Sequence, residues 1–394
     1  MSRPSVAPDR RLLTVPFVAV LTGAALYFFN VGVVVPLLPV FAAADLGANT
    51  LLVGVVVGAP ALAALVVRPL AGGFGNIIGR RRLMVCGAAL AGLATLAYGA
   101  ADHLAVLIAL RLMTGAGEGA FFTGAATLVT DLAPLERRGT AITLLSVTVF
   151  AGAGLGPILA VPLADELGRG RAFVIAGLVA IVAAAVCLLA RNPSGAPVAR
   201  TQHARLNRKA VGPGTAMALC DMGIAGFFAL VPLYALEVGT PVQTVFIVYS
   251  VVILGIRLGG SSIPDRLGPV RCGVVASILD AIGLLVIGIS GNHVGLLVGV
   301  VVFSAGTALL YPALMSLALG TSAQAERSSI VGTFTMSFDV GALLGAVLLG
   351  GVAQALGFRT SFALAGVCAL VGLVVLLRTA RTSAATTSVS LTGT

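Results

Sequence analysis

RPLAGGFGNIIGRRRL, Arg68 to Leu83, returns 189 residues later as RLGGSSIPDRLGPVR, Arg257 to Arg271. Arg68, Gly79 and Arg82 fall on Arg257, Gly268 and Arg271. Working outward, the same offset carries Gly117 onto Gly306, Arg138 onto Arg327, Gly152 onto Gly341 and Gly156 onto Gly345. It still holds for Gly168 with Gly357, Phe173 with Phe362 and Gly177 with Gly366. Near the start the register slips by a few residues, since Pro39 matches Pro232. One offset kept over so much chain marks a duplicated unit. Duplicated membrane halves are the arrangement of a carrier that rocks about a site between them.

Composition names the solvent. Hydrophobic residues make up 58% of the 394 and charged residues 10%, with a mean hydropathy of +1.09. A chain of this length could not hide so much apolar surface from water, so lipid must surround it. Twelve stretches are long and apolar enough to cross a bilayer: 15–43, 50–72, 82–101, 104–130, 139–162, 171–191, 213–236, 242–262, 270–290, 293–319, 327–352 and 359–378. The first is too long for the apolar region of a cleaved signal peptide.

The formal charge of +10 is a topology signal rather than a nucleic-acid footprint. Arg10, Arg11, Arg80, Arg81, Arg82, Arg137, Arg138, Arg205, Arg208, Lys209, Arg266, Arg271, Arg327, Arg378 and Arg381 fall at the termini or in alternate loops. Arg169, Arg171 and Arg359 lie in the opposite loops. By the positive-inside rule both termini are expected on the cytoplasmic side, and the excess of Arg over Lys, 23 to 1, hints at a GC-rich bacterial genome, so the expected setting is a bacterial inner membrane.

Cys86, Cys187, Cys220, Cys272 and Cys368 are scattered through apolar segments without CxxC pairing, and read as small buried hydrophobes. No Ser/His/Asp or Cys/His set lies together at membrane depth, which argues against an enzyme. No GxxxxGK[ST] loop is present, which leaves a proton gradient rather than ATP as the energy source, with no cofactor.

The chain divides into an N-terminal six-helix half (1–190), a polar linker (191–212), a C-terminal six-helix half (213–380) and a low-complexity tail (381–394) expected to be disordered. The fold expected is an all-α polytopic membrane protein with two pseudo-symmetric halves, working as a monomer.

The Arg68–Leu83 stretch closely resembles the loop signature of the major facilitator superfamily, G-x-x-x-D-R-x-G-R-R. Gly72, Gly79, Arg80 and Arg82 match it, while Asn76 stands at the acid position and Ile77 at the first arginine. The second copy keeps Asp265, Arg266 and Gly268, with Ser261 in place of the first glycine. The resemblance implies a gate. An acid there meets the N-terminus of a helix from the other half, where the dipole favours negative charge. Asn76 accepts a hydrogen bond without the charge, so this latch is expected to be weaker. By the same analogy, Asp131 at the end of span 4 pairs with Arg80.

Span 4, RLMTGAGEGAFF, resembles the family's R-x-x-x-G-x-G motif through Arg111, Gly115 and Gly117. Glu118 lies two helical turns from Arg111 on nearly the same face. Both fall at membrane depth, where an unpaired charge is costly, so each should face the central cavity. Glu118, Asp339 in span 11 and Asp221 in span 7 are the candidate proton carriers. Span 5, GAGLGPILA, resembles the antiporter motif G-x-x-x-G-P-x-x-G-G through Gly152, Gly156 and Pro157, with Ala160-Val161 in place of the final glycines. Small residues at that spacing allow close helix contact.

Asn30, Arg111, Phe121, Phe122, Phe227 and Tyr311 are the candidate substrate contacts, on helices that line the cavity in the family fold. An aromatic wall suits an apolar or amphipathic molecule. The whole implies a twelve-span secondary transporter, resembling the drug:proton antiporters, that exchanges protons for a small organic molecule across the bilayer. A proton-coupled importer, a sugar facilitator of the same superfamily and a transporter-like membrane sensor are the alternatives.

Overall fold

The computed structural model describes residues 12–134, 137–191, 207–259, 266–320, 322 and 324–392, and among them every regular element is helical. In lipid each backbone N–H and C=O must be satisfied within its own segment, and a helix does this without a partner strand. The first half comprises α1 (Val15–Ala44), α2 (Thr50–Ile78), α3 (Arg80–Leu96), α4 (Leu104–Leu132), α5 (Arg138–Leu167) and α6 (Arg169–Cys187). The second half begins with α7 (Arg208–Glu237), α8 (Val242–Gly259), α9 (Pro269–Ser290) and α10 (His293–Leu319).

The last helical stretch, Gln324–Thr392, is broken at Gly357, whose φ of 84° and ψ of 164° are non-helical. It is therefore two helices, α11 (324–356) and α12 (358–392). Its apolar part, Ser329–Arg381, has 53 residues, about 80 Å at 1.5 Å per residue. A hydrocarbon core of roughly 30 Å needs only about 20, so the break converts one overlong helix into two crossings. Eleven apolar helices thus give twelve spans.

The duplication is written into the backbone as well as the sequence. Gly168, between α5 and α6, has φ 86° and ψ 151°, nearly the angles of Gly357. Gly79, between α2 and α3, and Gly268, before α9, also share positive φ, 92° and 75°. An L side chain rarely adopts that region, so glycine is required at both copies of each turn. Contacts repeat too. A Cβ on Gly117 would strike Gly87 and Ala91, and one on Gly306 would strike Ala276 and Asp280, each pair related by the 189-residue offset.

Gly152 and Gly156 of α5 lie against Ala25, Phe29 and Gly32 of α1, while Gly341 and Gly345 of α11 lie against Ala218 and Met222 of α7. Those α1 and α7 positions differ by 193, as do Pro39 and Pro232, so the slipped register runs along the first helix of each half. Small residues let the backbones come this close.

Leu93, Leu155, Leu178, Val301, Leu348 and Val371 are exposed, the outward apolar surface that a lipid solvent selects. Most boundaries agree with the sequence reading, with three differences. Helix α2 runs past 72 to Ile78, carrying Gly72 and Asn76 in its last two turns. Helix α7 starts at Arg208, so the end of the expected linker is helical; residues 192–206 of that linker, with Ser261 and Asp265, lie outside the described residues. Helix α12 continues to Thr392 through the stretch expected to be disordered. No Gly or Pro interrupts 379–392 to stop it.

The halves are drawn together at the face opposite the chain termini. There Thr50 donates to Gln354 Oε1 through both its backbone N–H and its hydroxyl, at 3.1 Å each. About two turns deeper, a Cβ on Gly58 of α2 would meet Ala346 and Leu343 of α11 at 3.3 Å. Helices α5 and α8 meet at Gly154 and Leu254.

Candidate functional site

Arg68, Arg111 and Arg257 are the arginines left at membrane depth once those at the termini and in the loops are set aside. Each meets a different fate. Arg68 reaches across the seam between the halves: its Nε lies 2.9 Å from Asp339 Oδ2 on α11, and its Nη2 lies 4.0 Å from Glu118 Oε1 on α4. The guanidinium also lies over the Phe122 ring, 5.4 Å from its centroid. Arg68 and Asp339 are 13% and 4% exposed at the side chain. Withdrawn from water, the attraction between these two charges is strengthened.

Arg111 is committed to backbone. Pro60 lies inside α2 and has no N–H to give the carbonyl four residues earlier, that of Val56. Arg111 supplies the missing donor, with Nε to Val56 O at 3.1 Å and Nη2 to Val57 O at 3.4 Å. Its Nη1 reaches the Tyr98 hydroxyl at 3.3 Å. Gly115, one turn along α4, lets the backbone at Pro60 pack directly on α4. The two fixed residues of the R-x-x-x-G pattern thus serve the same proline turn of α2.

A cavity of about 70 Å³ lies beside these groups, lined by Tyr27, Asn30, Val57, Tyr98, Arg111, Thr114, Glu118 and Phe228 among others. That is room for a few waters, well below the roughly 300–1,000 Å³ of an organic-ligand pocket. Asn30 is 3% exposed, and its Oδ1 has no hydrogen-bond partner. An amide left bare at a cavity wall is poised to meet water or a ligand.

The structure separates the other candidates. Phe121 is fully buried and stacks on Tyr27 at 4.2 Å, behind the cavity wall. Phe227 is buried against Phe303 at 4.5 Å in the core of the second half, and its neighbour Phe228 faces the cavity instead. Tyr311 packs edge-on against Phe334 and Phe338. Asp221 is 1% exposed with neither carboxylate oxygen hydrogen-bonded. Asp280 is buried at the α9–α10 crossing, where it accepts a 3.0 Å hydrogen bond from Thr307.

At the face of the termini, Arg80 and Asp131 form an ion pair, Arg82 is exposed, and Arg266 and Gly268 lead into α9. Among the described residues no group of three His, Cys, Asp or Glu could hold a metal ion.

Sequence reasoning did not single out Arg68 as a site residue. The signal was present, because an arginine inside an apolar span is expensive and usually functional. Its acid partners lie 50 and 271 residues away, a pairing that no local pattern reveals.

Comparison with known proteins agrees with this architecture. The family model described as Major Facilitator Superfamily matches residues 20–292 and again 263–392. An uncharacterized MFS-type transporter of Methanocaldococcus jannaschii is 24% identical over 368 residues, covering 89% of this chain and 95% of the relative. One from Salmonella typhimurium is 25% identical over 364 residues, covering 89% and 92%. Among solved structures, a bacterial homolog of the human lysosomal transporter Spinster, inward-facing and occupied, superposes with a TM-score of 0.77 at 14% identity, covering 93% and 96%. With twelve spans in two repeated halves and a family match over nearly its whole length, the chain belongs to the Major Facilitator Superfamily of membrane transporters.

Proposed function

We propose that this transporter couples proton movement to export of a small amphipathic organic molecule by alternating access. The observation that carries the reading is the contact of Arg68, on the first half, with Asp339, on the second. While Asp339 is ionised, the pair ties the halves together at mid-depth. A proton on Asp339 removes one charge and frees Arg68, which keeps Glu118 as its remaining partner 4.0 Å away. The tie is then gone, and the halves can rock apart at the face where Thr50 now holds Gln354.

If the basic loops are cytoplasmic, the face where Thr50 meets Gln354 is the outer one, and this arrangement is closed there. Loading would take place from the cytoplasm, while Asp339 would take a proton from outside in the open state and release it to the cytoplasm as its contact with Arg68 re-forms. Arg80 with Asp131 braces the cytoplasmic end of the first half as it moves. Gly152, Gly156 and Pro157 keep α5 tight on α1, so that each half moves as a unit.

Everted membrane vesicles energised by respiration test this reading. Arylalkyl carboxylates, amides and amines are added while a pH-gradient dye is followed. Dissipation of the gradient by a compound in the wild type, lost in Asp339→Asn and Glu118→Gln, is the expected result. Flux that persists in both variants and ignores an uncoupler would make the protein a facilitator.

A further inference from the structure

The repeat places two arginines in equivalent positions but equips them differently. Arg68 and Arg257 are related by the 189-residue offset, as are Phe150 and Asp339. In one copy Arg68 meets the carboxylate of Asp339. In the other, the Arg257 guanidinium carbon lies 3.3 Å from the centroid of the Phe150 ring. The second seam therefore has the geometry of the first with the acid replaced by an arene. Among the described residues Arg257 has no ion-pair partner, and its buried Nε has no hydrogen-bond acceptor. The phenols of Tyr249 and Tyr311 are within its electrostatic reach.

A ring face offsets part of the cost of holding a cation away from water, but it leaves the buried Nε–H of the guanidinium unanswered. A structural arginine would have been given an acid, as its twin was. We propose that Arg257 is the anchor for an anionic group of the substrate, so that the transported molecule is an amphipathic organic anion. Its carboxylate or phosphate answers Arg257 as Asp339 answers Arg68, and its apolar body lies against Phe150, Tyr249 and Tyr311. The guanidinium fork suits a planar or tetrahedral oxyanion better than it suits any neutral group. This inference rests on reading the seam between the halves as the transport path, and it adds the charge of the cargo.

The test is equilibrium binding to the full chain in detergent, without any proton gradient, so failure of proton coupling does not disturb it. Three probes share one body: 3-phenylpropanoate, 3-phenylpropanamide and 3-phenylpropylammonium. Isothermal titration and thermal stabilisation should show the carboxylate binding at least tenfold tighter than the amide, and the ammonium weakest. Arg257→Gln should erase that preference, Arg257→Lys should keep part of it, and Asp339→Asn should keep it. Phe150→Asp recreates the acid of the other copy, so it should remove the preference while leaving the protein monodisperse and its melting temperature at or above that of the wild type. Equal binding of carboxylate and amide, no carboxylate binding, or a preference that survives Arg257→Gln would overturn the assignment. Loss of the preference in Arg68→Gln, with Arg257 intact, would also overturn it, by placing the anion at Arg68.

Discussion

Arg68 and Asp339 lie 271 residues apart in the chain and 2.9 Å apart in the protein, one on each half of a duplicated transporter. Their repeat counterparts, Arg257 and Phe150, also meet, but as a cation on a ring. Two-fold symmetry is thus kept in shape and broken in charge, and the break falls at the seam between the halves.

Removing one partner of the charged pair should destabilise more than removing both. Asp339→Asn leaves Arg68 with only the more distant Glu118. Breaking a buried ion pair this way costs about 3–5 kcal/mol, less whatever Glu118 recovers. Arg68→Gln combined with Asp339→Asn should regain most of the lost melting temperature and still show no proton-coupled flux. Coupling that returns together with stability would count against the pair as the coupling element.

The Arg111 contact predicts a specific rescue. Arg111→Gln should cost about 1–3 kcal/mol, because the Val56 and Val57 carbonyls lose their donor. Pro60→Ala gives α2 back the missing N–H, so the same Arg111→Gln change should cost less in that background. A double-mutant cycle on thermal stability reads the difference directly; additive effects would mean that Arg111 acts elsewhere.

Close helix contact makes the repeated glycines intolerant of a methyl group. A Cβ at Gly156 would lie 2.6 Å from Gly32 C, Phe29 O and Val33 N, and none of these backbone atoms can give way cheaply. Gly156→Ala should lower stability by about 1–3 kcal/mol, as overpacking does elsewhere. Its repeat equivalent, Gly345→Ala, should behave alike because it presses on Met222 backbone. Gly255→Ala, where no atom lies within 4 Å of a Cβ, should be close to neutral.

Much of this was legible in the sequence. The 189-residue offset showed which glycines the two halves share, and the slip noted at Pro39 reappears in the packing of α1 and α7, because backbone packing leaves a residue-type signature at every copy; which helix each glycine touches came from the packing. Charge partners were less legible. Glu118 and Asp339 could be nominated because a carboxyl at membrane depth is rare, but their link through Arg68 exists only once three helices from two halves are packed. Neighbouring aromatics were ambiguous for a geometric reason: Phe227 and Phe228 diverge by about 100° around the helix, and only packing decided that Phe228 faces the cavity. Arg111 was expected at the cavity wall, which it lines, but its engagement by the carbonyls near Pro60 needed the crossing of α2 and α4 to be seen.

Alternating access predicts that fixing the face opposite the termini arrests the carrier. In a background with the five native cysteines replaced, Thr50→Cys with Gln354→Cys should react readily with a short bifunctional thiol reagent, since those side chains meet there. Transport should stop on cross-linking and return with reductant. Undiminished flux in the linked protein would exclude opening at that face.

The most direct test of the account asks whether protonation of Asp339 opens the seam, and it needs no substrate. Spin labels at Ala44 and Ala355, both exposed at the face opposite the termini, report the separation of the halves by electron–electron resonance. The tie is present while Asp339 is ionised and is lost as pH falls, so acid should lengthen the distances in the wild type. Asp339→Asn mimics the protonated state and should give the long distances at every pH. A variant that keeps the wild-type response to pH would contradict the central role given to this carboxylate.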